Sequence, residues 1–286
     1  MPISNQSHIH VNANHICEGT SVNPAMERTC LIHHRGGWFW VTPKVARLCA
    51  WDTMHHCVQK SEQWLQRRMH RLTASQIATA ISINPYQTRD ALIKQYAGVN
   101  INNAEVFTGN EATRHGEKYE DEAVEKYERL HNCKVITFGL MPFLKHDDKH
   151  FLGGSVDGIT TEGRLIEVKC PFRRKIKDEI PAYYLPQVQS MMHGFGLDSV
   201  HFIEYVPEST WCPGQIMVHL IPIDKGFMVR HMEKLLDFWS RVQMCRIGAD
   251  ELCFSDNKPV VTRKRKIKTT GSCWIARDSL RTRTNN

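Results

Sequence analysis

The chain has no pair of cysteines at CxxC spacing, although ten cysteines are scattered along its 286 residues. Compact zinc modules and iron–sulfur ligand runs use that tight spacing, so its absence weighs against both. No long uninterrupted apolar run occurs, so no membrane-spanning helix is expected. The opening segment MPISNQSHIHVNANHICEGT lacks the apolar stretch of a secretory signal. With scattered cysteines, this points to reduced thiols in an intracellular protein. No internal repeat is visible. A surplus of one charge is also missing from most of the chain. Residues 1–256 carry 28 basic and 29 acidic side chains, a net of −1, so the positive excess resides in 257–286, where nine Lys/Arg and one acid give +8. Such a tail suits salt-sensitive phosphate contacts without sequence preference. TRKRKIK (262–268) equally fits a nuclear-import address or a solvated, disordered end.

What is present is enough for one substantial domain, since 41% of the residues are hydrophobic. The composition divides the chain into an N-terminal extension over 1–58, a folded domain over 59–250 and the basic tail over 257–286, expected to be disordered. The extension holds His8, His10, His15, Cys17, Cys30, His33, His34, His55, His56 and Cys57. These residue types are zinc's usual ligands, but their spacing matches no zinc module. GGWFWV (36–41) reads as a short strand packed on the domain.

From Ser61 the pattern is helical. Ser61 can cap SEQWLQRRMHRL, Thr73 can cap ASQIATAI before the NPY turn at 84–86, and Thr88 can cap RDALIKQYAG, with Gly98 past its end. A longer helix is expected over 110–131, where residues 119, 123, 124, 127 and 130 form an apolar stripe. Strands follow at 134–140, 155–160 and 164–170, then a helix, strands at 200–206 and 215–221, and a last amphipathic helix over 224–245. That order specifies an α+β (α/β) fold, with a mostly antiparallel sheet flanked by helices.

The segment GGSVDGITTEGRLIEVKC (153–170) carries the chemistry. Asp157 precedes Glu167 by ten residues and Lys169 follows two later, the pattern D-x9-E-x-K. Residues two apart on a strand share a face, so Glu167 and Lys169 point the same way and Val168 points opposite. Hairpin pairing across the TTEG turn brings Asp157 alongside them. Two carboxylates and an ammonium then meet at one edge, which suits Mg²⁺ and a metal-bound water. A solvated Glu–Lys pair on a surface hairpin is the blander reading. Flanking Ile166 and Val168 argue for a buried strand, where unpaired charges are costly.

These residues, with YLPQVQSMMHG (184–194), WLQRRMHRLTASQIATAI (64–81) and HGEKYEDEAVEKYE (115–128), resemble the YqaJ-type viral recombinases, the lambda-exonuclease-like branch of the PD-(D/E)xK nucleases. The resemblance covers roughly 60–245. It implies a restriction-endonuclease-like core with a central mixed sheet flanked by helices. By resemblance, Glu120, Asp157, Glu167 and the Val168 carbonyl hold two Mg²⁺ ions, with Mn²⁺ able to substitute. Lys169 orients the attacking water, and Gln187 donates to a phosphate oxygen or a metal-bound water. Arg68, Ser75 and Ser155 match the positions that hold a terminal 5′-phosphate. Arg173, Arg174 and Lys175 follow the motif where a duplex would pass, or form an ordinary basic loop. Arg67 and Arg71 are read as backbone-contacting or solvated. The family aspartate is often preceded by proline, where this chain has Val156.

The expected activity is Mg²⁺-dependent 5′→3′ digestion of linear double-stranded DNA. It would leave 3′ single strands for an annealing protein, and the family suggests a homotrimeric ring. An endonuclease of repair or restriction on the same scaffold is the near rival. A non-catalytic DNA-binding protein using the basic tail is a rival of another class, and a zinc-dependent interaction protein built on the N-terminus is a third.

Overall fold

The computed structural model describes residues 29–57, 61–98, 110–146, 149–209, 214–248, 266–268 and 272–275. The chain begins with a two-stranded hairpin, β1 (Cys30–His34) and β2 (Gly37–Val41), followed by α1 (Pro43–Met54). GGWFWV therefore pairs within its own hairpin. Alternation along both strands leaves Trp38 and Trp40 exposed, while Val41, Val45 and Cys49 enter the main core. Residues 30–56, on the extension side of the boundary drawn at 58, thus share the core of the domain. Buried Asp52 fixes this junction: Arg35 Nε donates to it at 2.8 Å, His34 Nε2 lies 3.3 Å away, and the Gly139 amide donates at 2.7 Å.

Ser61 caps α2 (Glu62–Met69) by accepting from the Trp64 amide at 3.2 Å, as its position predicts. Thr73 does not cap the next segment: its hydroxyl bonds Ser75 Oγ at 3.2 Å instead. Leu72–Thr73 forms a short strand, β3, and ASQIATAI splits into a 3₁₀ turn (Ala74–Gln76) and a single-turn α3 (Ile77–Ala80). The expectation of one capped helix there fails because Thr73 is committed to a strand. Thr88 caps α4 (Arg89–Ala97), which ends at left-handed Gly98. Asn110 caps α5 (Glu111–His131).

The strand expected over 134–140 is two separate pieces. β4 (Val135–Ile136) pairs with β7 (Gly158–Thr160), whereas β5 (Leu140–His146) pairs with β6 (Lys149–Ser155). Ser155 accordingly ends β6 in a second sheet, with Asp157 in the bend before β7. The motif hairpin is β7 and β8 (Leu165–Lys169), with Gly158 opposite Ile166. A short β9 (Glu179–Pro181) leads to α6 (Leu185–Phe195), then β10 (Ser199–Val206), β11 (Gln215–Pro222) and α7 (Phe227–Arg246). β8 and β10 run parallel, joined by the α6 crossover, so the sheet is mixed.

Two short segments of the tail, a region expected to be disordered, form strands. β12 (Lys266–Lys268) pairs with β9, and β13 (Ser272–Ile275) pairs with β11. The central sheet therefore has the order β13-β11-β10-β8-β7-β4, and a smaller sheet has β3-β6-β5. The central sheet separates two apolar cores. Ala123 and Tyr127 of α5 pack on Ile166, Val168 and Ile203, while Leu165, Phe202, Val188 and Leu235 lie in the larger core. Alternation along β8 thus sends Ile166 and Val168 toward α5, and Glu167 and Lys169 toward α6.

Among described residues, no helix is long and apolar enough to cross a membrane. Cys30, Cys49, Cys57, Cys133 and Cys170 are free thiols. Cys245 is disulfide-bonded, so the expectation of uniformly reduced cysteines does not hold. Spacing alone cannot show which sulfurs meet in space.

Candidate active site

β8 carries the site into a buried position. Glu167 has no exposure, and its Oε1 accepts from both Lys169 Nζ and Gln187 Nε2, the latter at 2.6 Å. Asp157 is held at the adjacent bend by the Val168 amide, which donates to its Oδ2 at 2.7 Å. Two glycines permit this close packing. A Cβ on Gly158 would lie 2.1 Å from Val135 Cγ1, and one on Gly154 would lie 3.2 Å from the Ala74 Cβ. Glu120 approaches from α5. Glu120, Asp157, Glu167, Lys169 and Gln187 are therefore brought together, as the motif predicts.

The electrostatics of the cluster show an excess of acid over base. Burial raises the Glu120 carboxyl to about 7, helped by repulsion from Asp157 and partly offset by Lys169. Burial and Asp157 likewise push Glu167 upward, and burial raises Asp157 despite Lys169 and the Val168 amide. Lys169 goes up too: burial opposes its charge, but Glu167 and Asp157 outweigh burial and hold it as an ammonium. With all three carboxyls ionised, three negative charges would face one ammonium, and the raised values mean that bound protons answer this excess when no cation is present. Glu167 Oε2 is buried with no hydrogen-bond partner. The donor set is all hard oxygen, so a divalent cation fits in kind and charge. Among the described residues no three His, Cys, Asp or Glu side chains form a ready cage. Glu167 Oε1 is occupied by Lys169 and Gln187.

The anion-binding candidates assemble through β3 and β6. Parallel pairing sets Thr73 against Gly153, which places the Ser75 and Ser155 segments side by side. Ser155 Oγ, Arg71 Nε and Trp64 Nε1 are buried donors without a partner. Arg68 stacks on the Trp64 ring at 4.5 Å. Arg67 Nη1 donates to the His55 carbonyl at 2.5 Å, and Arg71 Nη1 to the Arg67 carbonyl at 3.1 Å.

The basic loop after the motif is placed differently from its three candidates' shared expectation. Arg174 is an ion-pair partner of Glu204, which is fully buried on β10 and also contacts His219 Nε2 at 3.2 Å. Arg173 lies exposed, 3.4 Å from Glu111. Lys175 is exposed at the same loop. Glu204 escaped sequence reading because a single acid in an apolar strand has no motif; its register opposite Lys169 on β8 is visible only in the sheet.

A cleft of about 840 Å³ opens beside the cluster, lined by Glu120, Lys169, Cys170, Phe172, Tyr183 and Tyr184 among others. Of the zinc candidates, His8, His10, His15 and Cys17 lie outside the described residues. His34 instead supports Asp52, and no metal-binding group forms among the described residues.

Residues 63–197 match the family model of the YqaJ-like viral recombinase domain. A protein of Acanthamoeba polyphaga mimivirus is 30% identical over 164 residues, covering 51% of this chain and 29% of that protein. A protein of African swine fever virus is 26% identical over 166 residues, covering 46% of this chain and 45% of that protein. The chain thus spans less than half the length of these curated relatives. The alkaline exonuclease from Laribacter hongkongensis superposes with a TM-score of 0.52 at 20% identity, covering 67% of this chain and 97% of that one. Its complex with dAMP gives 0.51 at 21% identity, covering 67% and 100%. At these identities the likeness shows the fold, a restriction-endonuclease-like core of mixed sheet and helices. Every residue of the acidic cluster lies inside residues 63–197, the segment that is similar to the YqaJ-like viral recombinase domain.

Proposed function

We propose that this protein is a divalent-metal-dependent deoxyribonuclease that digests linear duplex DNA from a 5′ end and leaves 3′ single strands. The observation that carries the reading is the convergence of Glu120, Asp157, Glu167, Lys169 and Gln187 at the end of one buried strand, where burial, with repulsion from Asp157 at Glu120 and Glu167, raises all three carboxyls. Hydrolysis of a phosphodiester needs an activated water and relief of charge on the phosphoryl oxygens. Magnesium, or manganese in its place, would be held by Glu120, Asp157, Glu167 and the Val168 carbonyl, and would supply a Lewis acid and an acidified water. One divalent ion would balance the three ionised carboxylates and Lys169, and a second would meet the phosphodiester's charge together with the charge that develops on its phosphoryl oxygens.

The chain's own groups have defined tasks in this scheme. Lys169 stays charged, so it orients the attacking water and steadies developing negative charge rather than taking a proton. Gln187 shares Glu167 Oε1 with Lys169, and can turn its amide to a phosphate oxygen. Arg68, Ser75 and Ser155 form the terminal-phosphate grip, with the unpartnered Ser155 hydroxyl as a free donor. Arg173 and Lys175 are the members of the basic loop that remain available to the duplex backbone, since Arg174 is committed to Glu204. A single-strand annealing protein as recipient of the product, assembly as a homotrimer, and nuclear import through TRKRKIK belong to the same proposal.

The test is digestion of 5′-phosphorylated linear duplex and of closed circular duplex, with Mg²⁺, Mn²⁺ or chelator. The expected result is loss of linear DNA only, in either metal, abolished by chelator and by Lys169→Ala. Cutting of closed circles that survives Arg68→Ala would replace this reading with an endonuclease. DNA binding with no hydrolysis in either metal would reduce it to a binding protein.

A further inference from the structure

A row of aromatic rings runs from the core to solvent along one wall of the cleft. Phe202 is fully buried. Tyr184 lies 5.5 Å from it, Tyr183 lies 4.4 Å from Tyr184, and Tyr86 meets Tyr183 edge-on at 5.4 Å and 85°. Tyr86 is 79% exposed, so packing does not explain its position. The turn that presents it is nevertheless rigid. The Tyr86 amide donates to Asn84 Oδ1 at 2.9 Å, and Asn84 Nδ2 donates to the fully buried Thr79 at 2.8 Å. An exposed ring on a fixed turn is a preorganised contact surface, because little ordering entropy remains to be lost on binding.

The position of the row gives its partner's chemistry. Lys169 Nζ lies 5.6 Å from the Tyr184 ring centre, so the aromatic wall begins where the proposed phosphodiester site ends. Tyr86, Tyr183, Tyr184 and the 41% exposed Phe172 line the same cleft as Glu120 and Lys169. A phosphate held at Lys169 carries a sugar and a base outward, along the wall that these rings form. Every nucleobase has a π face, so stacking on tyrosine is strong and tolerant of sequence.

We propose that Tyr86 and Tyr183 form a nucleobase-stacking subsite for the nucleotide next to the scissile phosphate. The subsite takes a base that has left its pair, since a ring inside an intact duplex offers no free face. It therefore favours ends that are frayed or already single-stranded. The inference rests on the proposed action of the cleft on DNA.

A cycle of protein and substrate changes tests it. Linear DNA carries an abasic nucleotide on either side of the cut position in turn, and KM and kcat are measured with Mg²⁺ for the wild type, Tyr86→Ala, Tyr183→Ala and the Tyr→Phe variants. The wild type should lose roughly 5- to 100-fold in KM on one of the two abasic substrates. Tyr86→Ala should show a comparable loss on intact DNA and little further loss on that abasic substrate. The Tyr→Phe variants should restore the wild-type KM, since the ring and not the hydroxyl stacks. An unchanged KM in both alanine variants overturns the proposal. So do losses from variant and abasic site that multiply independently, and so does failure of phenylalanine to restore KM. Absence of hydrolysis by the wild-type chain would instead overturn the nuclease reading itself.

Discussion

Glu167 is a carboxylate with no exposure, held by Lys169 and Gln187 through one oxygen and by nothing through the other. Its folded-state pKa lies above the unfolded value, at about 8. The folded chain therefore binds the proton more tightly, and stability falls as pH rises from about 4.5 to about 8. Glu167→Gln removes that titration. It should raise the melting temperature of the metal-free protein above pH 8 while lowering Mg²⁺-dependent DNA hydrolysis by at least ~100-fold. Thermal melts and a nuclease assay on one preparation check both halves. A variant that loses activity together with stability at high pH would contradict the account. Glu120, raised to about 7, titrates within the same window. The gain in melting temperature from added Mg²⁺ should accordingly be larger near about pH 9 than near about pH 6, because the ligands must shed protons to bind.

At the scale of elements, one buried residue ties the first hairpin to the second sheet. Burial would raise the Asp52 carboxyl, but hydrogen bonds from His34, Arg35 and the Gly139 amide more than offset this and hold it at about 2. A depressed carboxylate contributes stability above its unfolded pKa of about 3.8 that is lost as pH falls through about 2. Asp52→Asn should cost about 2 kcal/mol at neutral pH, read from urea midpoints, and should flatten the acid limb of the stability curve. A second junction is set by space. Gly158 faces Val135 across the β4–β7 pair, where any Cβ would clash with its methyl. Gly158→Ala should destabilise by about 1–3 kcal/mol. Because Asp157 is its neighbour, nuclease activity should fall further than the loss of folded protein accounts for. Equal activity per folded molecule would show that the bend is not what positions the aspartate.

Over the whole molecule, the sequence made the elements legible wherever a local signal exists. Ser61 and Thr88 announce helices by capping, and the stripe through Ala123 and Tyr127 announces the face of α5 that meets the sheet. Asp157, Glu167 and Lys169 were legible because strand periodicity and one hairpin suffice to place them, whereas Glu120 and Gln187 came from the family resemblance. Three features escaped for one physical reason, that they depend on partners distant in the chain. Thr73 reads as a cap but is recruited into β3 by Gly153. Arg174 reads as a surface base but answers the buried charge of Glu204. Strands inside a charged tail are invisible until β9 and β11 supply their ladders. Of the zinc candidates, His34 lies beside Asp52, and His8, His10, His15 and Cys17 fall outside the described residues.

The pairing of β13 with β11 has a practical consequence. A protein shortened to end before residue 266 would leave the β11 side of the six-stranded sheet with bare amide and carbonyl groups. Bare ladders recruit one another between molecules. The shortened chain should therefore elute as concentration-dependent multimers in size-exclusion chromatography, whereas the full chain keeps one elution volume across the same dilution series. The C-terminus thus acts as a plug against self-recruitment, whatever else its lysines contact.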